Sequence, residues 1–324
     1  MHLLLFTIID NIRSIGWAGA FALLRDGIVL GALYSLVALG YTMVYGILQL
    51  LNFAHGDVFM VGAFMGIGVL TVVAGPFSSA LPLVPLIIVL FAVSMLGSGV
   101  LGVVIERFAY RPLRNAPRIA PLISALGVVF ILESSVQLLT NAGHFQYNEY
   151  PVFNRLFQPA VFNPWGQPIN IADLLVVGTS IVLVLALMFL VNRTRLGKAM
   201  RATAFDREAA SMMGVDTDRV IAATFFIGSA LAGAAGVMYG LSLSDTWFLV
   251  GFLYGLKAFT AAVVGGIGSI QGAMLGGVLI GLVETFAGAY AGGNWKEIVV
   301  FGILILFLLF RPTGILGSHA IQKV

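Results

Sequence analysis

Long apolar segments alternate with short polar segments along most of the chain. The segments that carry no Asp, Glu, Lys or Arg are residues 27–56, 58–105, 174–192, 220–244 and 258–283. Each is long enough to cross a bilayer, which takes about 20 apolar residues. Lipid offers the backbone no hydrogen-bond partners, and the alternating short strands of a barrel are absent, so these segments are expected to be helices. The pattern predicts an all-α polytopic membrane protein.

The charged interruptions predict about nine transmembrane helices, within a range of eight to ten. They are expected near residues 27–48, 58–75, 82–105, 119–140, 173–192, 219–241, 256–267, 272–290 and 297–311. The segment 256–267 is short and rich in glycine, which is also compatible with a broken or re-entrant helix. Residues 1–24 are a candidate interfacial helix. We expect it to be retained, because Met1–Ile9 lacks the basic start and the cleavage site of a signal peptide.

Composition narrows the class of protein further. Hydrophobic residues make up 60% of the chain and charged residues 10%, and the predicted helices leave no stretch for a soluble catalytic domain. The net charge of +3 does not indicate a nucleic-acid partner, because the basic residues cluster in two loops between apolar segments instead of on a soluble face. The absence of cysteine excludes disulfides, thiolate chemistry and cysteine metal sites. No cofactor and no metal site is predicted.

Two basic loops set the expected orientation in the membrane. The first contains Arg107, Arg111, Arg114 and Arg118, and the second contains Arg193, Arg195, Lys198, Arg201, Arg207 and Arg219. Both are expected to be cytoplasmic by the positive-inside rule, with the polar stretch 141–171 on the other side. Arg311 and Lys323 favour a cytoplasmic C-terminal end, whereas the side of the N-terminal end stays open.

The second basic loop, residues 193–219, has the pattern of a short docking helix. Asp206 can cap the start of a helix, Glu208 and its neighbouring alanines favour continuation, and Gly214 stands where a helix is expected to stop. Asp216 can cap the next span. The residues assigned to this surface are Asp206, Glu208, Ala209, Ala210, Met213 and Gly214. Met212 adds to an adaptable apolar face for a partner protein; the alternative is an ordinary amphipathic connector.

Polar residues at predicted membrane depth are a second group of candidates. The segment 52–57, Asn-Phe-Ala-His-Gly-Asp, lies between two apolar spans, and Gly56 permits a break there. Polar groups inside a membrane are costly and often functional. The alternative is a capped interfacial turn in which Asp57 starts the next helix. His55 has no second histidine or carboxylate cluster at ligand spacing, so it does not indicate a metal site.

Isolated charges and spaced glycines complete the candidates. Glu133, Lys257 and Glu284 lie within or near predicted spans, where each must be paired, reach the interface or face water. A proton relay is possible if they align, and structural pairing is the alternative. Glycines recur at four-residue spacing in three pairs, namely Gly62 with Gly66, Gly272 with Gly276 and Gly277 with Gly281. This spacing favours close helix packing over a direct role in a pore.

Several segments carry a family resemblance. Glu208-Ala209-Ala210 with Gly214 resembles the EAA loop by which ABC-importer permeases contact their ATPase subunits. Other segments resemble the branched-chain amino-acid permease family of the LivH type. These are residues 32–46, 52–57, 106–114, 214–220, 257–269 and 311–317. They occur in this order along nearly the whole chain.

The resemblance implies that residues 1–324 form a single transmembrane permease domain, with 193–219 as its cytoplasmic coupling loop. It implies an alternating-access importer of Leu, Ile and Val in a bacterial inner membrane. The implied partners are a second related permease subunit, two ATP-binding subunits and a periplasmic solute-binding protein. The chain itself is not expected to be an enzyme, because it lacks the P-loop pattern for binding ATP.

The candidate translocation pathway then comprises Asn52, Phe53, His55, Gly56, Asp57, Lys257 and Thr260. Two alternatives stay open. Permeases of the same family for urea, short amides or other amino acids share similar loops. An ion-coupled secondary transporter that uses Glu133 or Glu284 belongs to another class, in which inverted repeats are common, and no such repeat is evident here.

Overall fold

The computed structural model describes residues 2–74, 82–114, 116–117, 119–150 and 161–317, with the backbone alone for residues 2–15, 74 and 165. Within these ranges the chain is almost entirely helical, so the predicted all-α class is confirmed. The helices are α1 (His2–Leu48), α2 (His55–Val69), α3 (Leu83–Ile105), α4 (Ile119–Thr140), α5 (Ile171–Arg193), α6 (Arg195–Phe205), α7 (Arg207–Met212), α8 (Thr217–Leu243), α9 (Val250–Gly265), α10 (Ile270–Ala291) and α11 (Lys296–Phe310). The strands β1 (Phe145–Gln146) and β2 (Asp245–Thr246) form a short antiparallel pair.

Eight helical segments of the described chain are long and apolar enough to cross a membrane. They are Gly16–Leu48, His55–Val73, Leu83–Leu113, Ile119–Thr140, Ile171–Arg193, Thr217–Leu243, Ile270–Ala291 and Gly293–Phe310. The remaining predicted span, 256–267, corresponds to α9, which begins earlier, at Val250, has 16 residues and is shorter than a full span. Eight spans in the described chain, or nine if the shorter α9 is included, fall within the predicted range of eight to ten.

The first helix is longer than predicted. The expected start at residue 27 is wrong, because α1 is already helical at His2 and is interrupted only by a kink at Gly16, where φ is 55°. The charges Arg25 and Asp26 do not end the helix. They pair with each other, and Arg25 also approaches Asp173, with 3.9 Å between Nε and Oδ2. An ion pair at the end of a span is compatible with a continuous helix.

The two basic loops meet at one face of the bundle, as their predicted common side requires. Arg111 and Arg114 of the first loop both donate hydrogen bonds to Asp218, which lies at the end of the second loop. The stretch after α4 lies at the opposite face, where Phe145 pairs with Thr246 beyond the other end of α8. Arg118 and Lys323 lie outside the described residues.

Helix α9 connects these two faces. It follows β2, and it ends at Gly265, next to the C-terminal segment. Ile315 and Leu316 donate backbone hydrogen bonds to the carbonyls of Val264 and Gly265. The segment from β2 to Gly265 therefore runs from one face to the other. Its first part, before Val250, is not helical, and the rest forms α9.

Helices α1, α2 and α8 form the buried centre. Glycines in α2 and α10 make close packing with neighbouring elements possible. All six glycines with four-residue spacing face another element: Gly62 packs on Gly233, Gly66 on Tyr147, Gly272 on Gly265, Gly276 on Ala261, Gly277 on Ser35 and Gly281 on Gly31. The predicted packing role is confirmed. By contrast, α11 is almost entirely peripheral, with Leu309 70% exposed.

A tyrosine from the stretch after α4 inserts into the bundle. Tyr147 is fully buried, and its hydroxyl donates a hydrogen bond of 2.6 Å to the carbonyl of Ala63 in α2. Its ring lies against Gly66 of α2 and Gly240 of α8. The aromatic ring therefore joins the outer ends of two central helices.

Candidate functional site

The segment 52–57 is buried between helices instead of forming an exposed turn. Asn52, His55 and Asp57 are each no more than 2% exposed. The hydroxyl of Tyr110, from the turn that extends α3, donates a hydrogen bond of 2.9 Å to Asn52 Oδ1. Because the loop after Leu48 folds back against α3, its polar groups lie inside the protein.

The expected break at Gly56 and the alternative capped turn at Asp57 are both wrong. Helix α2 begins at His55, so Gly56 and Asp57 lie in its first turn, and the helix start has no side-chain cap. Gly56 instead contacts Gly251 and Gly255 of α9 closely enough that a side chain there would strike backbone atoms. Gly56 therefore allows α2 and α9 to pack closely, and α2 is not broken at this glycine.

Two buried polar atoms of this segment have no hydrogen-bond partner in the described structure. They are Nε2 of His55 and Oδ1 of Asp57. The His55 ring meets the Tyr41 ring edge-on, with 4.8 Å between ring centroids. Buried polar atoms usually have partners, so such atoms indicate a place for water or a ligand. A role in the pathway stays a prediction for both residues.

An apolar groove lies beside this segment. Its lining comes from α1, α4, α9 and the loop before α2, and consists of Tyr41, Phe53, Leu126, Val129, Gly251, Phe252, Gly255, Leu256 and Phe259. Phe53 contributes one wall, with its ring centroid 6.1 Å from that of Phe259. Thr260 is fully buried and donates its hydroxyl to the Leu256 carbonyl at 3.0 Å, so it is satisfied within its own helix.

Lys257 and Glu284 form a buried ion pair, with 2.6 Å between Nζ and Oε1. The hydroxyl of Tyr34 donates a hydrogen bond of 2.6 Å to the second carboxylate oxygen of Glu284. Glu297 lies 3.4 Å from the same ammonium, and the ring of Tyr254 lies 5.3 Å from it. The sequence did not pair Lys257 with a particular acid, and the structure shows that these charges satisfy each other.

The second basic loop forms the short helix that its sequence predicts, and its docking role stays a prediction. In α7, Asp206 Oδ1 accepts a hydrogen bond of 2.9 Å from the Ala209 amide. Gly214 follows the helix with φ at 84°, a left-handed conformation that favours glycine. Asp216 Oδ1 accepts from the Arg219 amide at 3.1 Å and caps α8. The predicted caps and stop are confirmed.

The end of α6 and the helix α7 together present an apolar patch to solvent. Phe205, Met212 and Met213 are each more than 80% exposed, whereas Ala210 is buried against the bundle. Ala209 and Glu208 are also exposed. Phe205 was missed from the sequence, although an aromatic residue directly before the capping Asp206 is a signal for it. The short helix α6, which ends at Phe205, was not predicted either.

An ion network links the docking helix to the first basic loop. Asp218 accepts from Arg111 and Arg114, and its Oδ1 lies 3.8 Å from Arg207 in α7. Arg114 also pairs with Glu106, and the Arg114 side chain is only 5% exposed. This network joins α3, α7 and α8 across the face where both loops lie.

We expect Asp218→Asn to weaken the mechanical link between these helices. If the chain transports a solute, uptake should fall roughly 2- to 30-fold, which corresponds to a coupling energy of about 0.5–2 kcal/mol. Uptake per assembled complex measures the effect. Arg219→Gln is the control, because Arg219 is 89% exposed and pairs with Asp216 inside its own loop. Equal uptake in both variants would contradict a role for the network.

The described residues contain no group of three or more His, Cys, Asp or Glu positioned to hold a metal ion. Fold and surface together define a multi-pass membrane protein with a short helix and an exposed apolar patch at one face. The chain belongs to the family described as branched-chain amino acid transport system / permease component, whose model matches residues 23–308.

The chain is similar to known permeases along nearly its whole length. It is 42% identical over 301 residues to the high-affinity branched-chain amino acid transport system permease protein BraD of Pseudomonas aeruginosa, covering 93% of this chain and 97% of that protein. It is 39% identical over 312 residues to the corresponding LivH of Escherichia coli K12, covering 92% and 96%. A probable LivH of Methanocaldococcus jannaschii is 28% identical over 314 residues, covering 92% and 93%. No solved structure matches the chain significantly.

Proposed function

We propose that this chain is the membrane permease subunit of an ABC importer that moves branched-chain amino acids across a bacterial inner membrane. The observation that carries the proposal is the match to permeases with this substrate over more than nine-tenths of the chain. Residues 1–324 then act as one transmembrane permease domain, with 193–219 as its cytoplasmic coupling loop. The partners are a second related permease subunit, two ATP-binding subunits and a periplasmic solute-binding protein.

The docking helix α7 gives this proposal a physical route for energy. The exposed patch formed by Phe205 at the end of α6 and by Met212 and Met213 at the end of α7 suits a groove on an ATP-binding subunit, since methionine side chains adapt to a partner's shape. Closure of the ATP-binding subunits displaces α7. Asp216 and Asp218 pass that displacement to α8 and α3, which alternates access to the pathway.

Substitutions in α7 test the coupling. We expect Glu208→Ala together with Gly214→Val to abolish ATP-dependent uptake of leucine while the chain still inserts in the membrane. Gly214 has a left-handed φ of 84°, which a β-branched residue adopts only under strain. Uptake in proteoliposomes that contain all subunits measures the result. Ser211→Ala, also exposed in α7, is the control. Native uptake in the double variant would argue against coupling through α7.

The substrate requires a separate test, because the solute-binding protein contributes strongly to selectivity. Binding calorimetry on the cognate solute-binding protein, with leucine, isoleucine, valine and urea, should show tight binding of the three amino acids alone. Tight urea binding without leucine binding would replace the substrate and leave the transporter class unchanged. An ion-coupled mechanism through Glu284 is less well supported, because Lys257 and Tyr34 already occupy its carboxylate oxygens.

A further inference from the structure

Helix α4 carries a carboxylate, that of Glu133, which has no cationic partner among the residues that the structure describes. Glu133 lies seven residues before Thr140, the nearer end of the helix, which is about 10 Å at 1.5 Å per residue. Its side chain is partly exposed. Within the described ranges, no ion pair or hydrogen bond joins Glu133 to another residue. A glutamate side chain is too short to reach the interface from that depth.

The surface of α4 is not uniform around the helix. Gln137, one turn beyond Glu133 on the same flank, is exposed. Leu126, two turns before Glu133, lines the apolar groove together with Phe53 and Phe252. Ile131 is 64% exposed but points about 160° away from Glu133 around the helix. Two polar side chains, Glu133 and Gln137, therefore lie on α4 above the apolar groove, with the exposed Phe130 beside them and Ser135 beyond Ile131 on the opposite flank.

A charge that faces lipid is costly, so the flank with Glu133 is expected to face water or protein. The groove below it has a second carboxylate behind its wall. Asp57 Oδ1 has no hydrogen-bond partner and lies next to the groove residue Gly251, 2.7 Å from where a side chain on that glycine would begin. The surroundings therefore place one carboxyl group above the apolar groove and a second one behind its wall.

We propose that this flank of α4 is a wall of the translocation pathway, where Glu133 binds the α-ammonium group of the amino acid. The aliphatic side chain of the substrate then lies on the groove formed by Leu126, Phe53 and Phe252. The two parts match a small zwitterion with a branched apolar side chain, since a carboxylate forms a charge-assisted hydrogen bond with an ammonium group. This inference rests on the proposed function and adds the residue that recognises the substrate.

Labelling of single cysteines tests whether Glu133 faces water. The native chain contains no cysteine, so Glu133→Cys, Gln137→Cys and Ile131→Cys each introduce one thiol. The variants are assembled with their partner subunits in membranes and treated with a charged, membrane-impermeant methanethiosulfonate reagent. Modification is then read on this chain alone after the subunits are separated.

We expect the thiols of Glu133→Cys and Gln137→Cys to react, while that of Ile131→Cys, at nearly the same depth on the opposite flank, does not. Leucine supplied with the solute-binding protein should slow modification of Glu133→Cys severalfold. Gln137→Cys keeps the test decisive if Glu133→Cys does not assemble. Reaction as slow as that of Ile131→Cys would place the flank against lipid or a sealed subunit contact and would overturn the proposal. Modification that leucine does not slow would overturn the binding role.

Uptake measurements test the charge itself. Glu133→Gln should reduce leucine uptake per assembled complex roughly 10- to 100-fold, as loss of a charge-assisted hydrogen bond predicts, and Glu133→Asp should restore part of it. Unchanged uptake in Glu133→Gln overturns this inference alone, provided that the native complex transports leucine. If the native complex moves no branched-chain amino acid, the proposed function fails, whereas the labelling contrast with Ile131→Cys still reports whether α4 faces water.

Discussion

Replacing Lys257 with methionine is expected to lower the free energy of unfolding by about 3–5 kcal/mol, the usual cost of removing one partner from a buried ion pair. The change leaves the Glu284 carboxylate, which is 4% exposed, without its cation. Tyr34 supplies one hydrogen bond to that carboxylate, which does not compensate for a buried charge. Thermal unfolding of the purified protein in detergent measures the loss.

Two further variants separate the buried pair from a general effect of removing lysine. Lys257→Met combined with Glu284→Gln should recover part of the stability, because no unpaired carboxylate is left. Lys296→Met should change stability by about 0.5 kcal/mol or less, since Lys296 is 39% exposed and its nearest acid is 3.8 Å away. A Lys257→Met variant as stable as the native protein would show that the ion pair does not hold α9 and α10 together.

Gly281→Ile is expected to prevent the native packing of α1 against α10. A side chain at this position would meet the backbone of Gly31 and would begin 2.6 Å from the carbonyl oxygen of Gly27. Overpacking commonly costs about 1–3 kcal/mol, and here the obstacle is backbone, which has little freedom to move. We therefore expect a loss at or above the upper end of that range, with a low yield of folded protein.

Gly288→Ile is the matched control, because Gly288 lies in the same helix and its nearest neighbour is the Lys296 side chain at 3.9 Å. It should behave almost as the native protein does. Size-exclusion chromatography in detergent followed by thermal unfolding distinguishes the two variants. Comparable yields and stabilities would mean that α1 and α10 do not need direct backbone contact.

Much of the fold was predictable because its strongest signals are local. A bilayer-length apolar segment gives a helix wherever it occurs, and the capping pattern from Asp206 to Gly214 specifies α7 and its end through contacts a few residues apart. The main error in the helix bounds was the start of α1. Arg25 and Asp26 looked like a boundary, and their partner Asp173 lies far away in sequence.

The site was less predictable because its contacts join distant helices. Lys257 pairs with Glu284 only because α9 and α10 pack in one particular register. Likewise, Asp218 is more than 100 residues from Arg111 and Arg114, so the sequence did not reveal the network. The burial of Asn52, His55 and Asp57 also depends on how the loop after α1 folds back. Periodicity assigns residues to helices but does not specify which helices meet.

Tyr147 has a mechanical consequence for a transporter built on this bundle. Its hydroxyl donates a hydrogen bond to Ala63, and its ring packs against Gly66 and Gly240, so it holds the outer ends of α2 and α8 together. The opposite ends of these helices lack this contact with Tyr147. If α7 is displaced, we expect the movement of α2 and α8 to be largest at the ends opposite Tyr147 and smallest at the ends that Tyr147 holds together.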